Sequence, residues 1–446
     1  MTPSAPVTAT RSCELLRAAV FHTPLNPFRQ PGALRAFSDG GLLVENGRIA
    51  ACGDYATLHD ARPCARTRDL RGGFLLPGFI DTHVHYPQMR ILGALGYSLL
   101  DWLEKRTLPE EARFAVPEYA QAVASEFVHA LVSHATTTAL VFGSHFASAM
   151  VSLFEAARNA GLRIVSGLVI SDRRLRPELH VDAGTAYRES RELIRRFHGQ
   201  ERALYAVTPR FALSASEAIL EVCQTLLAEH PGLRLQTHLN ENPREIEEIS
   251  RLFPWAGDYL AVYERFQLIG PRAVLAHSVH SSPSEIARLA ASATAVAHCP
   301  SSNAALGSGI FPMRRHLEAG VHFALGTDVG AGTGFGMLQE ALQAYLVQRL
   351  LGDAGVNLTS EHLLYLATRA GAEALGLEQE IGDFQPGKSA DFVYLKPPAG
   401  SPLQTVAAHA ESPERLLASI FTLAGAESVQ ETWVGGSLVF RRNDPQ

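Results

Sequence analysis

Apolar residues along this chain recur in two rhythms, and the order in which they alternate predicts an architecture. Short apolar, β-branched runs fall at 78–83 (GFIDTH), 137–142 (TTALVF), 163–170 (RIVSGLVI), 204–209 (LYAVTP), 233–238 (LRLQTH), 273–277 (AVLAH), 294–298 (TAVAH) and 321–326 (VHFALG). Runs of this kind read as buried strands. Segments with helical period lie between them. In SEAILEVCQTLLAEH (216–230), Ile219, Val222, Cys223, Leu226 and Leu227 share one face, and Gly232 is expected to end the helix. Strand and helix alternating eight times predicts an α/β protein built on a (β/α)8 TIM barrel. A doubly wound open sheet is the competing arrangement, but no G-x-G-x-x-G follows an early strand.

Both ends of the chain read differently. VENGRIAACG carries Asn46-Gly47 between alternating apolar positions, and WVGGSLVF carries Gly435-Gly436; both pairs signal tight hairpins. SADFVYL adds a further strand. Residues 1–76 and 383–446 are therefore expected to form one small β-sandwich-like domain from both termini, with 77–382 as the barrel, since chain ends often lie close together.

Composition narrows the partners. At 446 residues, with 46% hydrophobic and 19% charged positions, the chain has ordinary globular composition. A net charge of −6 presents no basic field, so a nucleic-acid partner is disfavoured and a small or neutral one expected. Cys13, Cys52, Cys64, Cys223 and Cys299 are scattered without a C-x-x-C, which argues against disulfides and thiolate metal sites and for a reducing compartment. No secretory signal and no 18-residue apolar stretch is present, so a soluble cytoplasmic protein without a membrane partner is expected.

The candidate chemistry begins at PGFIDTHVHYPQ (77–88). On a strand, His83 and His85 would point to one face. With 18 histidines in the chain, about 0.7 H-x-H pairs arise by chance, so the motif needs context. The barrel supplies it, because chemistry in that fold sits beyond the C-terminal ends of the strands. There fall His83, His85 and Gln88 after strand one, Arg210 and Phe211 after four, and His238 and Glu241 after five. His277 and His280 follow strand six, and Asp328 follows strand eight. Taken singly each has a plain alternative: His277 as a satisfied polar group, Asp328 as a turn or capping residue, Arg210 as an ion-pair arginine, Phe211 as core packing. Gathered at one rim, imidazoles and a carboxylate suit a divalent ion such as Zn2+, with Fe2+ also served by such a set.

With these residues in place, the chain resembles the amidohydrolase superfamily and, within it, the guanine deaminases. PGFIDTHVHYPQ, LLDWLEKRTLPEE (99–111), PRFALS (209–214), THLNEN (237–242), AHCPSSNAALGSG (297–309) and GTDVGAGTGFGML (326–338) are similar to that family's motifs in its order. The resemblance implies that His83, His85, His238 and Asp328 hold one metal ion with His277 beside its water. It further implies that Glu241 shuttles protons, Asp328 acts as base, and Gln88, Arg210 and Phe211 hold a purine base whose amine is removed by hydrolysis. Related two-metal enzymes often bridge through a lysine at the end of strand four; none occurs between Lys105 and Lys388, so one metal per chain is expected. Gly334 and Gly336 depart from serines expected in many relatives. Relatives are commonly homodimers. A deaminase or hydrolase of another heterocycle, a pterin or triazine, and a catalytically silent scaffold stay open as alternatives.

Overall fold

The protein is described by a computed structural model covering residues 13–442. The outer ends of the expected terminal domain, residues 1–12 and 443–446, lie outside the described residues. Eight parallel strands form the barrel: β1 (Phe79–His85), β2 (Thr136–Phe142), β3 (Arg163–Gly167), β4 (Ala203–Pro209), β5 (Arg234–Leu239), β6 (Ala273–His277), β7 (Ala295–His298) and β8 (Phe323–Leu325). They pair in sequence order. The expected third strand divides: Leu168 N–H turns to the Tyr205 hydroxyl at 3.2 Å, and Val169–Ile170 forms a separate pair with the end of β4. The helix expected at 216–230 spans Glu217–Glu229, capped by the Ser216 side chain. It ends at His230, not at Gly232, because the His230 backbone leaves the helical region there (φ −124°, ψ 77°).

No ladder joins β8 to β1. Their seam is closed just beyond β8, where Asp328 N–H donates to His83 O and His85 N–H donates to Val329 O, both at 2.8 Å. The buried Asp81 carboxylate adds bonds from Thr327 N (3.0 Å), Thr327 Oγ1 (2.5 Å) and His83 N (3.1 Å). Gly326 is required at this seam. A Cβ there would stand 2.7 Å from His83 Cβ and 2.9 Å from His83 N, well inside van der Waals contact.

Strands from both ends of the chain build one seven-stranded sheet, in the order 437–441, 429–434, 392–395, 66–77, 13–22, 35–45, 48–54. In place of two facing sheets, this single sheet buries side chains on both faces. The pleat explains how: Phe74, Leu76, Val393 and Leu395 join the barrel core, while Leu75, Phe392 and Tyr394 between them join a second core with Leu16, Val20 and Leu42. Asn46 and Gly47 (φ 53° and 77°), like Gly435 and Gly436 (φ 58° and 71°), are left-handed at both turn positions, the backbone that tight hairpins demand. Strand 66–77 runs through Gly78 directly into β1, so the sheet is continuous with the strand carrying the first two histidines.

Replacing Gly326 by alanine is expected to destabilise the fold by about 1–3 kcal/mol through this overpacking. A chemical-denaturation midpoint compared with the parent protein checks it.

Candidate metal centre and adjoining pocket

The end of β1 places His83 and His85 two residues apart, yet both ring Nε2 atoms turn toward one point, 3.2 Å from each other. Asp328 Oδ1 lies 3.3 Å from His83 Nε2 and 3.2 Å from His85 Nε2. His238, from β5, donates Nδ1–H to Arg210 O at 2.6 Å, since a carbonyl only accepts, and so keeps its Nε2 lone pair free. His277, from β6, contacts Asn303 Oδ1 through Nδ1 at 3.0 Å, and its Nε2 is buried without a hydrogen-bond partner. Two overlapping ligand sets result, His83–His85–His238 and His83–His277–Asp328, the ligand atoms in each lying within 4.8 Å of one another. All five side chains are buried.

Charge state agrees with ligation. Burial pushes His85 down to about 4, and also lowers His83 and His238, so the imidazoles stay neutral as a metal requires. Burial alone would raise Asp328, but His83 and His85 hold its carboxyl well below the usual range. Neutral nitrogens and a carboxylate crowded together, with one imidazole nitrogen orphaned, fit a divalent cation.

The backbone is bent to the same end. Asn240 (φ 49°), His277 (φ 74°), Ser278 (φ 51°) and Asp328 (φ 49°) are left-handed non-glycine residues at or just past the ends of β5, β6 and β8. Such conformations cost of order 1–3 kcal/mol each and persist where surroundings over-determine them.

Glu241 follows β5, immediately before the capping box that starts helix Pro243–Leu252: Asn242 is the N-cap, Pro243 follows, and Glu245 returns to the Asn242 N–H. Glu241 Oε1 accepts from Ser308 Oγ at 3.0 Å, and Oε2 lies 3.5 Å from His277 Nε2. Burial first, then the Asp328 charge, raises its carboxyl to about 8. A carboxyl so placed can carry a proton at neutral pH.

Beside this cluster lies a narrow cavity bordered by Gln88, Arg210 and Phe211 and by the apolar Leu99, Trp102 and Leu306. Phe211 is 6% exposed and meets His238 edge-on at 6.0 Å. His280, the other histidine after β6, stands apart and reaches Ser308 O at 2.7 Å.

Several contributors have no individual signal in the sequence. Ser302 donates to Asp328 Oδ2 at 2.6 Å, Asn303 holds His277, and Ser308 holds Glu241. The motif AHCPSSNAALGSG contains all three, but their partners are 26 to 67 residues away in sequence. Trp102 and Leu99 lie in LLDW, where an apolar pair predicts core as readily as a pocket wall.

Comparison with known proteins gives a consistent result. A family model described as the amidohydrolase family matches residues 74–439. A Deinococcus radiodurans protein named "Probable guanine deaminase" is 58% identical over 434 residues, spanning 96% of this chain and 99% of that one. The solved E. coli guanine deaminase has a TM-score of 0.91 at 38% identity, with 97% of this chain and 100% of the other covered. The C. acetobutylicum guanine deaminase, solved with guanine bound in its active site, has a TM-score of 0.89 at 25% identity, covering 96% and 100%.

The metal centre makes a graded prediction. His83→Ala is expected to purify without bound metal, whereas Ser302→Ala, which removes only the bond orienting Asp328, is expected to weaken metal affinity roughly tenfold to hundredfold. Elemental analysis with competition against a chelator measures both.

Proposed function

The chain belongs to the amidohydrolase family, and from that premise we propose that it hydrolyses the exocyclic amine of guanine, yielding xanthine and ammonia. The observation carrying this is the arrangement of one cavity: Glu241 and Asp328 line one part of it, and the donor groups of Gln88 and Arg210 line another. A planar base that carries an amine to lose and a carbonyl to be held fits between such groups. His83, His85, His238 and Asp328 would hold one divalent ion, zinc by general prior, with ferrous iron suited to the same ligands. That ion supplies Lewis acidity, which brings the pKa of water down to about 7.

The chain's own residues divide the remaining work. Asp328, fixed by Ser302 at Oδ2, accepts a proton from the attacking water. Glu241, carrying its proton at neutral pH, delivers it to ring N3 as the water oxygen bonds to C2. His277 stands between the two carboxylates, 3.5 Å from Glu241 and 3.8 Å from Asp328, and orients the attacking oxygen. Glu241, now ionised, takes the proton remaining on the attacking oxygen and passes it to the amine; the C2–N bond breaks as the C2 carbonyl forms, ammonia leaves, and the proton held by Asp328 restores Glu241. Phe211 faces the base, and Trp102 and Leu99 exclude bulk water on the apolar side. The buried donors of Gln88 and Arg210 favour a carbonyl at C6, which adenine lacks; an unmatched buried donor costs about 1–3 kcal/mol.

The same reading carries a setting: a cytoplasmic homodimer in purine breakdown, with a small-molecule substrate and neither nucleic acid nor membrane as partner. A net charge of −6 supports the first exclusion. No helix among the described residues is long and apolar enough to cross a membrane.

Ammonia release from guanine, assayed beside adenine, cytosine and isoxanthopterin with and without a chelator, tests this function. Guanine turnover abolished by chelation is the expected result; preference for another heterocycle overturns it. Glu241→Gln is expected to keep its metal yet lose roughly 10²–10⁴ in kcat.

A further inference from the structure

Behind the cavity wall sits a carboxylate to which the reaction gives no part. Glu111, in the short helix Leu108–Ala112, is 2% exposed and does not itself border the cavity. Its Oε1 accepts from Gln88 Nε2 at 3.1 Å and from Arg210 Nη1 at 2.8 Å. Its Oε2 accepts from Arg210 Nη1 at 2.7 Å and has His145 Nε2 3.2 Å away. One carboxylate therefore meets both Gln88 and Arg210, the two donor residues that border the substrate space.

We propose that Glu111 is the positioning residue that sets specificity for a carbonyl at purine C6, an inference that rests on the guanine reading above. A carboxylate only accepts, so any neighbour it holds must turn a donor toward it. Gln88 is thereby fixed at both ends: Nε2 faces Glu111, and Oε1 accepts from Gly330 N at 3.3 Å. Its second Nε2 hydrogen is the group left for a ligand. Arg210 commits Nη1 to Glu111, and its Nε and Nη2 have no hydrogen-bond partner among the described residues. Everything polar that this wall can offer is a donor. A carbonyl oxygen satisfies both residues at once, whereas an amino group at the same place would set hydrogen against hydrogen.

A glutamine at position 111 would occupy nearly the same volume and undo this logic. Whichever way its amide lies, its NH2 faces Arg210 Nη1 in place of one of the two acceptors. Where that NH2 also meets Gln88, the Gln88 amide must turn, losing the Gly330 N–H and exposing an acceptor to the substrate. Glu111→Asp keeps a counter-ion for the buried Arg210, and so guards against simple misfolding, but falls a methylene short of Gln88.

The test compares guanine with 2,6-diaminopurine, which carries the same C2 amine but an amino group at C6. Steady-state kinetics, metal content and melting temperature are measured for the parent enzyme, Glu111→Gln and Glu111→Asp. In Glu111→Gln, KM for guanine should rise roughly tenfold to hundredfold with a smaller change in kcat, and the preference for guanine over 2,6-diaminopurine should shrink by a similar factor at unchanged metal content. Glu111→Asp should shift the same way to a lesser degree, and it decides the matter if the glutamine variant does not fold. A preference that stays within about twofold of the parent, or equal losses on both bases, overturns the inference while leaving guanine turnover intact. Absence of guanine turnover in the metal-loaded parent enzyme overturns the underlying reading and this inference with it.

Discussion

Closure of the barrel and the geometry of the candidate metal centre are tied together, because backbone bonds of His83, His85 and Asp328 make the seam between β8 and β1. The Asp328 N–H bonds the His83 carbonyl, and the His85 N–H bonds the carbonyl of Val329. Here the backbone of Asp328 is bonded to that of His83, which keeps their side chains next to each other. Asp81 reinforces the join from below, spending three acceptor contacts on Thr327 and His83. Gly326 permits the close approach.

From that seam the order of the site spreads outward in layers. Ser302 and Asn303 lie side by side in the short helix Pro300–Ala305 and reach two different rim residues, Asp328 and His277. Ser308, a few residues on, reaches Glu241. One connection after β7 thus holds Asp328, His277 and Glu241 together. Outer contacts of this kind set tautomer and orientation, which matter as much to a metal as the identity of the ligands. The left-handed backbone at Asn240, His277, Ser278 and Asp328 is stored strain that these contacts and the barrel core maintain.

Electrostatics separates the two halves of the cavity. On the metal side, burial holds the imidazoles neutral and lifts Glu241 to about 8, giving one neutral acid beside an ionised Asp328. On the opposite side, burial would lift Glu111 too, but the Arg210 charge and His145 bring its carboxyl well below the usual range. Of these three buried carboxyls, the surroundings thereby hold Glu241 neutral and Asp328 and Glu111 ionised.

Much of this was legible in the chain. Eight apolar runs located the strands, two left-handed hairpin dipeptides located the terminal sheet, and the barrel rule turned strand ends into a list of rim residues that included His83, His85, His238, His277 and Asp328. Those features are local: a run of β-branched residues or an Asn-Gly pair carries its own conformational preference wherever it sits. Glu111, His145, Ser302, Asn303 and Ser308 gave no such sign, since their meaning lies wholly in partners brought from afar. Glu111 and Arg210 are 99 residues apart and touch only after the barrel has closed. Residue type and spacing determined which groups could reach the rim; the folded chain alone decided which of them are paired, because a hydrogen bond is set by distances of a few tenths of an ångström that no one-dimensional pattern encodes.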